Sequence, residues 1–114
     1  MHDSVSMNTQ VSRDPEGYLF DPDDWNGEMA NILADEEGIF LNETYWPILD
    51  FIRQYYREHS VAPDVRHLIN YLATENQWDK KEAKKLIFEL FPYGYVKQAC
   101  KIAGMKRPRA WSTG

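Results

Sequence analysis

The segment from about Glu43 to His59 constrains the fold more than any other part of the sequence. Its apolar residues recur three and four positions apart and form one broad stripe along a helix: Trp46, Leu49, Ile52, Tyr55 and Tyr56. Asn42 can cap this helix, and Pro47 is tolerated because it falls within the first turn. A stripe of this width has to be covered by other elements, so the segment predicts a packed helical domain.

Four further helices are predicted from capping residues and from the spacing of apolar side chains. They begin at Asp21, Pro63, Asp79 and about Tyr95, and the last of them ends at Gly104. The two aspartates are suited to N-cap positions, and proline suits the first position of a helix. The glycine after the fifth helix supplies the left-handed residue that often ends a helix.

A turn near the N-terminus predicts a small β-hairpin. Residues 14–17 read Asp-Pro-Glu-Gly, in which proline sets the second turn position and glycine tolerates the left-handed one. Val11 precedes this turn, and Tyr18 to Phe20 follow it. The predicted fold class is mainly α: a single-domain five-helix bundle with a small N-terminal β-hairpin and an irregular C-terminal arm. We expect a flexible N-terminus over 1–12, the helical domain over 13–104 and the arm over 105–114.

The length and the cysteine content limit the class of protein. A chain of 114 residues fits one domain with one core. It has no run of 18 apolar residues, so no membrane span is predicted, and its N-terminus lacks the pattern of a secretory signal. A single cysteine excludes an internal disulfide. We therefore expect a soluble cytoplasmic protein that does not bind a membrane.

Charge is distributed unevenly along the chain. Residues 1–78 hold 15 acidic and four basic residues, a net charge of −11, whereas residues 79–114 hold three acidic and nine basic residues, a net charge of +6. The basic third is suited to an acidic protein surface or a polyanion. For the four lysines of the predicted fourth helix, a solvated helix face is the simpler explanation. The cations that flank the cysteine are equally consistent with a solvated surface and with binding to an acidic protein or a polyanion.

Cys100, the only cysteine, lies in the predicted fifth helix between Lys97 and Lys101. Cationic neighbours favour the thiolate, which is the nucleophilic form of cysteine. Helical spacing also places Cys100 on one side with Ala99 and Ala103, which instead favours a small, unreactive core residue. Both interpretations stand on the sequence alone, and they differ in whether solvent and partners reach the sulfur.

The remaining residues indicate no other chemical site. The three histidines, His2, His59 and His67, form no pair with each other or with the cysteine at metal-ligand spacing. No general base adjoins the thiol in the sequence, and no glycine-rich phosphate loop is present. We therefore expect no metal, no cofactor and no stand-alone catalytic constellation.

Nucleic-acid binding is the rival class of function. The predicted fourth and fifth helices are joined through Pro92-Tyr93-Gly94 and resemble a helix-turn-helix in outline. The basic tail that follows is suited to phosphate contacts. The net charge of −5 disfavours this class, because the rest of the chain repels a polyanion.

The chain also contains a series of blocks whose order and spacing are those of one protein family. They are Asp14 to Leu19, Asp24-Trp25, Glu36 to Ile39, Phe51 to Tyr56, Ala62-Pro63 with Arg66 and Leu68, and Leu90 to Gly104. On these blocks the chain resembles the DsrC/TusE family of sulfur-relay proteins. This family includes the gamma subunit of dissimilatory sulfite reductase and the sulfur carrier of tRNA 2-thiouridine synthesis. The resemblance covers about residues 14–108.

The resemblance implies a helical bundle with a hairpin, a C-terminal arm and a role in sulfur transfer. Members of the family carry sulfur as a persulfide, or as a trisulfide between two cysteines. They exchange it with sulfurtransferases such as TusBCD or with sulfite reductase-like proteins. The resemblance therefore implies docking on such partners and, as an enzymatic role, at most that of a sulfur carrier or sulfurtransferase component. Cys100 corresponds to the second cysteine of the sulfite-reduction branch and is the candidate persulfide carrier. The candidates for stabilising its thiolate or binding a partner are Arg66, Lys97, Lys101, Arg107 and Trp111.

The sequence departs from the family pattern in the arm. The principal carrier of the family is a cysteine near the end of the arm, and Trp111 stands at that position here. A trisulfide within one chain is therefore excluded, because an indole holds no sulfane sulfur. Three hypotheses follow: a carrier that uses Cys100 alone, an adaptor that docks without carrying sulfur, or a regulator that binds DNA through the fifth helix and the tail.

Overall fold

The structure, a computed structural model, describes residues 11–107. Within this range the chain forms a short 3-10 turn, Pro22–Asp24, and five helices. These are α1, Gly27–Glu36; α2, Tyr45–His59; α3, Val65–Asn76; α4, Lys80–Leu90; and a π-helix, Tyr95–Cys100. The predicted mainly helical bundle is thereby confirmed. No helix in this part of the chain combines the length and the apolar character needed to cross a bilayer.

The first helix begins later than predicted. The side chain of Asp21 accepts a hydrogen bond from a backbone N–H two residues on, but this cap holds only the 3-10 turn. Trp25 then adopts an extended conformation and separates the turn from α1. The side chain of Asn26 accepts from the backbone N–H of Met29 at 2.8 Å and caps α1.

Side-chain caps mark the start of α3 and α4 but not of α2. Helix α2 begins at Tyr45, after Thr44, which makes no side-chain cap; Asn42, the predicted cap, instead accepts from the Thr44 N–H in the turn before the helix. Helix α3 begins after Asp64 and not at Pro63, since the carboxylate of Asp64 accepts from the backbone N–H groups of Arg66 and His67, the second and third residues of the helix. Helix α4 begins after Asp79, as predicted. The existence of each helix was readable from periodicity, and the first residues of α3 and α4 depended on their caps.

The predicted N-terminal β-hairpin is not formed, since the described residues contain no β-strand. A single antiparallel bridge joins Arg13 and Leu19 around the predicted turn. The carboxylate of Asp14 accepts from the backbone N–H groups of Glu16 and Tyr18, both at 2.9 Å. A side chain thus takes donors that a strand ladder would use. The chain then enters the 3-10 turn before a second strand can extend.

The π-helix lies at the centre of the core. Of its six residues only Lys97 is exposed, and even the polar Gln98 is fully buried. A helix that is covered nearly all round must be enclosed by the other elements. The fully buried side chains that surround this core come from all four α-helices and include Leu33, Ile48, Ile52, Leu68 and Ala83. The position of Cys100 is therefore determined by the whole bundle.

Residues 105–107 follow the last helix without regular secondary structure. Met105 is buried, whereas Lys106 and Arg107 are exposed. The rest of the predicted arm, with Trp111, lies outside the described residues, as does the predicted flexible N-terminus up to residue 10. The proposed domain limits accordingly stay predictions.

Candidate functional site

Cys100 is the last residue of the π-helix and is completely buried. Burial disfavours the charged thiolate and raises the pKa of the thiol to about 12, and a hydrogen bond with Tyr95 opposes this only in part. At pH 7 such a thiol is ionised in roughly one molecule in 100,000. In this conformation Cys100 is a neutral thiol without solvent access.

Two buried tyrosines interact electrostatically with the thiol, and one of them, Tyr95, also forms a hydrogen bond with it. Tyr95, five residues before Cys100, forms a hydrogen bond with the thiol and donates from its hydroxyl to the Pro63 carbonyl at 2.6 Å. Tyr18 donates to the Val96 carbonyl at 3.2 Å. Burial first, and the charge of a Cys100 thiolate second, raise the pKa of Tyr18 to about 12. Both phenols stay neutral, so neither supplies the positive charge that a thiolate needs.

Neither of the two lysines near Cys100 in the sequence is paired with its sulfur. Lys101 is nearly buried, and its Nζ forms an ion pair with Glu37 Oε2 at 2.9 Å. Lys97 is exposed and forms no ion pair with any side chain in residues 11–107. Neither lysine is paired with the sulfur, and neither contributes to the shift in its pKa. Their proposed role toward a thiolate stays a prediction without a contact to support it.

Two further candidate site residues, Arg66 and Arg107, form ion pairs with carboxylates rather than contacts with the thiol. Arg66 is exposed on α3 and forms an ion pair with Asp64 at 3.0 Å. Arg107 Nε lies 3.3 Å from the Glu16 carboxylate, so it joins the start of the arm to the N-terminal turn. The third candidate, Trp111, lies outside the described residues. The proposed thiolate-stabilising or partner-binding role of all three stays a prediction.

A carboxylate that sequence reasoning missed holds the π-helix in place. Glu37, just after α1, accepts from Lys101 Nζ and also from Gln98 Nε2 at 3.1 Å. The side-chain oxygen of Gln98 in turn accepts from the backbone N–H of Tyr93 at 3.0 Å. These contacts connect the π-helix, the turn before it and the loop after α1. Local patterns give no sign of them, because Glu37 lies 61 and 64 residues from its two partners.

A second pair of residues fixes the point where the arm leaves the fold. Trp25 Nε1 donates to the Ile102 carbonyl at 2.8 Å, and Arg53 donates to the Ala103 carbonyl at 3.0 Å. The Arg53 guanidinium also lies over the Trp25 ring, 4.2 Å from its centroid. Gly104 follows with φ +84°, and a Cβ there would lie 2.6 Å from Trp25 Cγ. The last carbonyls of the helix are thus capped by side chains from two distant elements.

The histidines of the described residues form a separate surface cluster. His67 Nδ1 lies 3.0 Å from Asp64 Oδ1, and its Nε2 lies 3.4 Å from the Tyr55 hydroxyl. The ring of His59 packs on Tyr55 with 4.1 Å between centroids. Neither histidine contacts Cys100, so neither is placed to take its proton. Within residues 11–107 no three His, Cys, Asp or Glu side chains converge as metal ligands would.

Comparison with known proteins points to one family. The family described as "DsrC like protein" matches residues 6–110. The chain is 37% identical over 98 residues to the sulfurtransferase TusE of Pectobacterium atrosepticum, which covers 86% of this chain and 89% of that protein. It is 35% identical over 99 residues to the sulfurtransferase TusE of Escherichia coli, with coverage of 87% and 90%. These relatives align along nearly their whole length.

Solved structures of similar proteins share the fold. The oxidized gamma subunit of the dissimilatory sulfite reductase (DsrC) from Archaeoglobus fulgidus superposes with a TM-score of 0.78 at 33% identity, over 89% of this chain and 91% of that one. DsrC of Allochromatium vinosum superposes with a TM-score of 0.75 at 37% identity, over 89% of both chains. The similarity therefore extends from the sequence to the arrangement of the helices.

Proposed function

The chain belongs to the DsrC-like family, and from this membership we propose that it works in sulfur relay by docking on a sulfurtransferase or a sulfite reductase-type protein. The observation that carries the proposal is the match over residues 6–110, which spans every described helix. The similar proteins named above are sulfurtransferases and a sulfite reductase subunit. A cytoplasmic location stays our expectation, because a lone free cysteine suits a reducing compartment.

Cys100 is the only thiol of the chain and hence the only cysteine that can accept a sulfur atom. In such a transfer its thiolate attacks the outer sulfur of a persulfide on the partner. A new S–S bond forms at Cys100, the S–S bond of the partner breaks, and the cysteine of the partner leaves as a thiolate. The burial and the high pKa of Cys100 oppose this step in the described conformation. In our proposal, Cys100 accepts sulfur only when docking opens the helix that buries it.

The π-helix is suited to such an opening. Helices of this type are rare, occur as short segments and are frequent at functional sites. Besides its buried packing, this one is joined to other elements by polar contacts that include those from Tyr95 to Pro63 and from Lys101 to Glu37. Local opening of one segment costs less free energy than global unfolding. A partner that binds the opened form better shifts the population toward it.

The regulator hypothesis has less support from the described residues. DNA binding through the fifth helix and the tail requires free cations there. Lys101 is nearly buried and paired with Glu37, and Arg107 is paired with Glu16. Lys97 is the one exposed residue of the π-helix. We therefore do not propose a nucleic-acid partner.

The test combines binding with mass spectrometry. Wild-type protein and Cys100→Ala are each mixed with a purified TusBCD-type sulfurtransferase that carries a persulfide, and binding is measured by biolayer interferometry. We expect both proteins to bind, and only the wild type to gain one sulfur atom, about 32 Da. Binding without a mass gain supports a docking protein that carries no sulfur. Absence of binding to this partner and to a dissimilatory sulfite reductase refutes the proposed function.

A further inference from the structure

A depression between α3 and α4, here called the α3–α4 groove, has an apolar floor that opens to solvent. Its volume is about 130 Å³, and its apolar lining residues are Val65, Ile69, Ile87, Phe88, Phe91 and Tyr95. Phe88 forms one wall and is 65% exposed. Small-molecule pockets have volumes of roughly 300 Å³ or more, so this groove suits one large side chain of a partner rather than a free ligand. An exposed phenylalanine beside an apolar floor is typical of an interaction site.

The rim of the groove is basic. Lys84 lies on the edge of the groove, and an adjoining depression is lined by Arg66, Lys80, Lys81 and again Lys84. No aspartate or glutamate lines either depression. Arg66 is compensated by its ion pair with a carboxylate on the same helix end. The three lysines form no ion pair with another described residue, so the rim carries uncompensated positive charge.

We propose that the α3–α4 groove binds a protein segment that inserts one aliphatic or aromatic side chain and carries carboxylates beside it. The inference rests on the proposed function for the identity of the partner, a sulfur-relay protein, and on the groove for the chemistry of the segment. The chain has a net charge of −5, so this patch is opposite in sign to the chain as a whole. Such a patch steers an acidic segment to one place and fixes its register.

Two other occupants fit only part of the groove. A nucleic acid would use the lysines, but its phosphates leave the apolar floor and Phe88 without a contact. A second copy of the chain offers carboxylates from its acidic residues 1–78, and its binding would make the protein a dimer or a longer array. Both are distinguishable from a relay partner by experiment.

The first experiment uses a synthetic peptide. The probe is a fluorescein-labelled helical peptide with leucine and phenylalanine one turn apart and glutamates around them, and anisotropy reports its binding. We expect Lys84→Glu and Phe88→Ala each to weaken binding about tenfold. Lys85→Glu on the same helix and Phe40→Ala, a side chain 87% exposed elsewhere, serve as controls and are expected to stay within about twofold. No binding by the wild type, or equal weakening in the controls, overturns the inference.

The second experiment uses the whole partner. The same four variants are tested against the TusBCD-type sulfurtransferase and the dissimilatory sulfite reductase, after circular dichroism has verified that each is folded. If the wild type binds a partner and Lys84→Glu and Phe88→Ala bind equally well, the groove inference is overturned while the proposed function stands. If the wild type binds neither partner but binds the peptide as expected, the proposed function fails and the groove remains a peptide site.

The remaining outcomes concern the occupant. If duplex DNA binds the protein, and Lys84→Glu weakens this binding whereas Phe88→Ala does not, the occupant is a nucleic acid and the proposed protein segment is overturned. If the wild type is a dimer in analytical ultracentrifugation and Lys84→Glu and Phe88→Ala are monomers, the occupant is a second copy of the chain and the proposed partner segment is overturned. A monomer that binds the peptide, and that loses this binding as salt is raised, supports the proposal.

Discussion

Removal of one buried hydroxyl, in Tyr95→Phe, tests how the π-helix is held over Cys100. Tyr95 is 3% exposed and donates to the Pro63 carbonyl at 2.6 Å, and Pro63 is itself buried. Phenylalanine keeps the ring and its packing. It leaves the carbonyl without its hydrogen-bond donor and also removes the hydrogen bond with the thiol. The variant therefore isolates the polar part of the contact from the apolar part.

The expected loss follows from the burial of the carbonyl. A buried acceptor that loses its partner costs about 1–3 kcal/mol, so the free energy of unfolding should fall by about 2 kcal/mol. For a domain of this size the unfolding temperature should fall by about 10 °C.

Urea unfolding followed by circular dichroism measures this change. The midpoint should shift while the slope against urea stays the same, because the folded surface is unchanged. The control is Tyr93→Phe, since Tyr93 is 75% exposed and its hydroxyl is in water. It should change the free energy of unfolding by less than about 0.5 kcal/mol. If Tyr95→Phe is as stable as the wild type, the polar contact does not hold the π-helix.

Three further predictions follow from the site. Gly104→Ala should lower the free energy of unfolding by about 2 kcal/mol, because alanine is strained at φ +84° and its methyl group meets an indole ring; a loss below about 0.5 kcal/mol in urea unfolding contradicts this. Lys101→Met leaves a largely buried carboxylate without its cation and should cost about 2 kcal/mol, whereas the exposed Lys97→Met should cost under about 0.5 kcal/mol; equal costs contradict the pairing. A hydrogen bond from Arg13 lowers the pKa of Glu36 in the folded protein. The ionised Glu36 therefore stabilises the fold above the pKa that it has in the unfolded chain, and this contribution to the free energy of unfolding is lost as the pH falls below about 5. On acidification the free energy of unfolding should therefore fall more steeply for the wild type than for Glu36→Gln. Parallel plots of this free energy against pH for the two proteins would contradict the prediction.

The helices were predictable because their signals are local. The apolar stripe of α2 and the cap at Asp79 lie within the segments that they define, so periodicity and capping rules suffice. The hairpin failed for a local reason as well. The carboxylate of Asp14 closes the turn by accepting from backbone groups, and the sequence pattern does not show whether a side chain or a strand takes those donors.

The candidate site was less predictable because its contacts are distant in the chain. The sequence left Cys100 open as a reactive thiol or a core residue, and the structure places it in the core. Lys101 was a candidate for stabilising the thiolate or binding a partner, and the sequence contained no sign that its Nζ is paired with a carboxylate 64 residues away. The clamp by Trp25 on the Ile102 carbonyl spans 77 residues. Such contacts depend on how the helices pack, which local spacing does not encode.

The rate at which Cys100 reacts with a disulfide reagent such as 5,5′-dithiobis(2-nitrobenzoic acid) tests the central claim most directly. The claim is that the folded bundle closes off the only thiol and that a relay partner opens it. We expect the native protein to react about 1,000-fold more slowly than the urea-unfolded protein, since reaction requires local opening. An unloaded TusBCD-type sulfurtransferase should increase the native rate. Stoichiometric reaction of the native protein at the unfolded rate would contradict the claim.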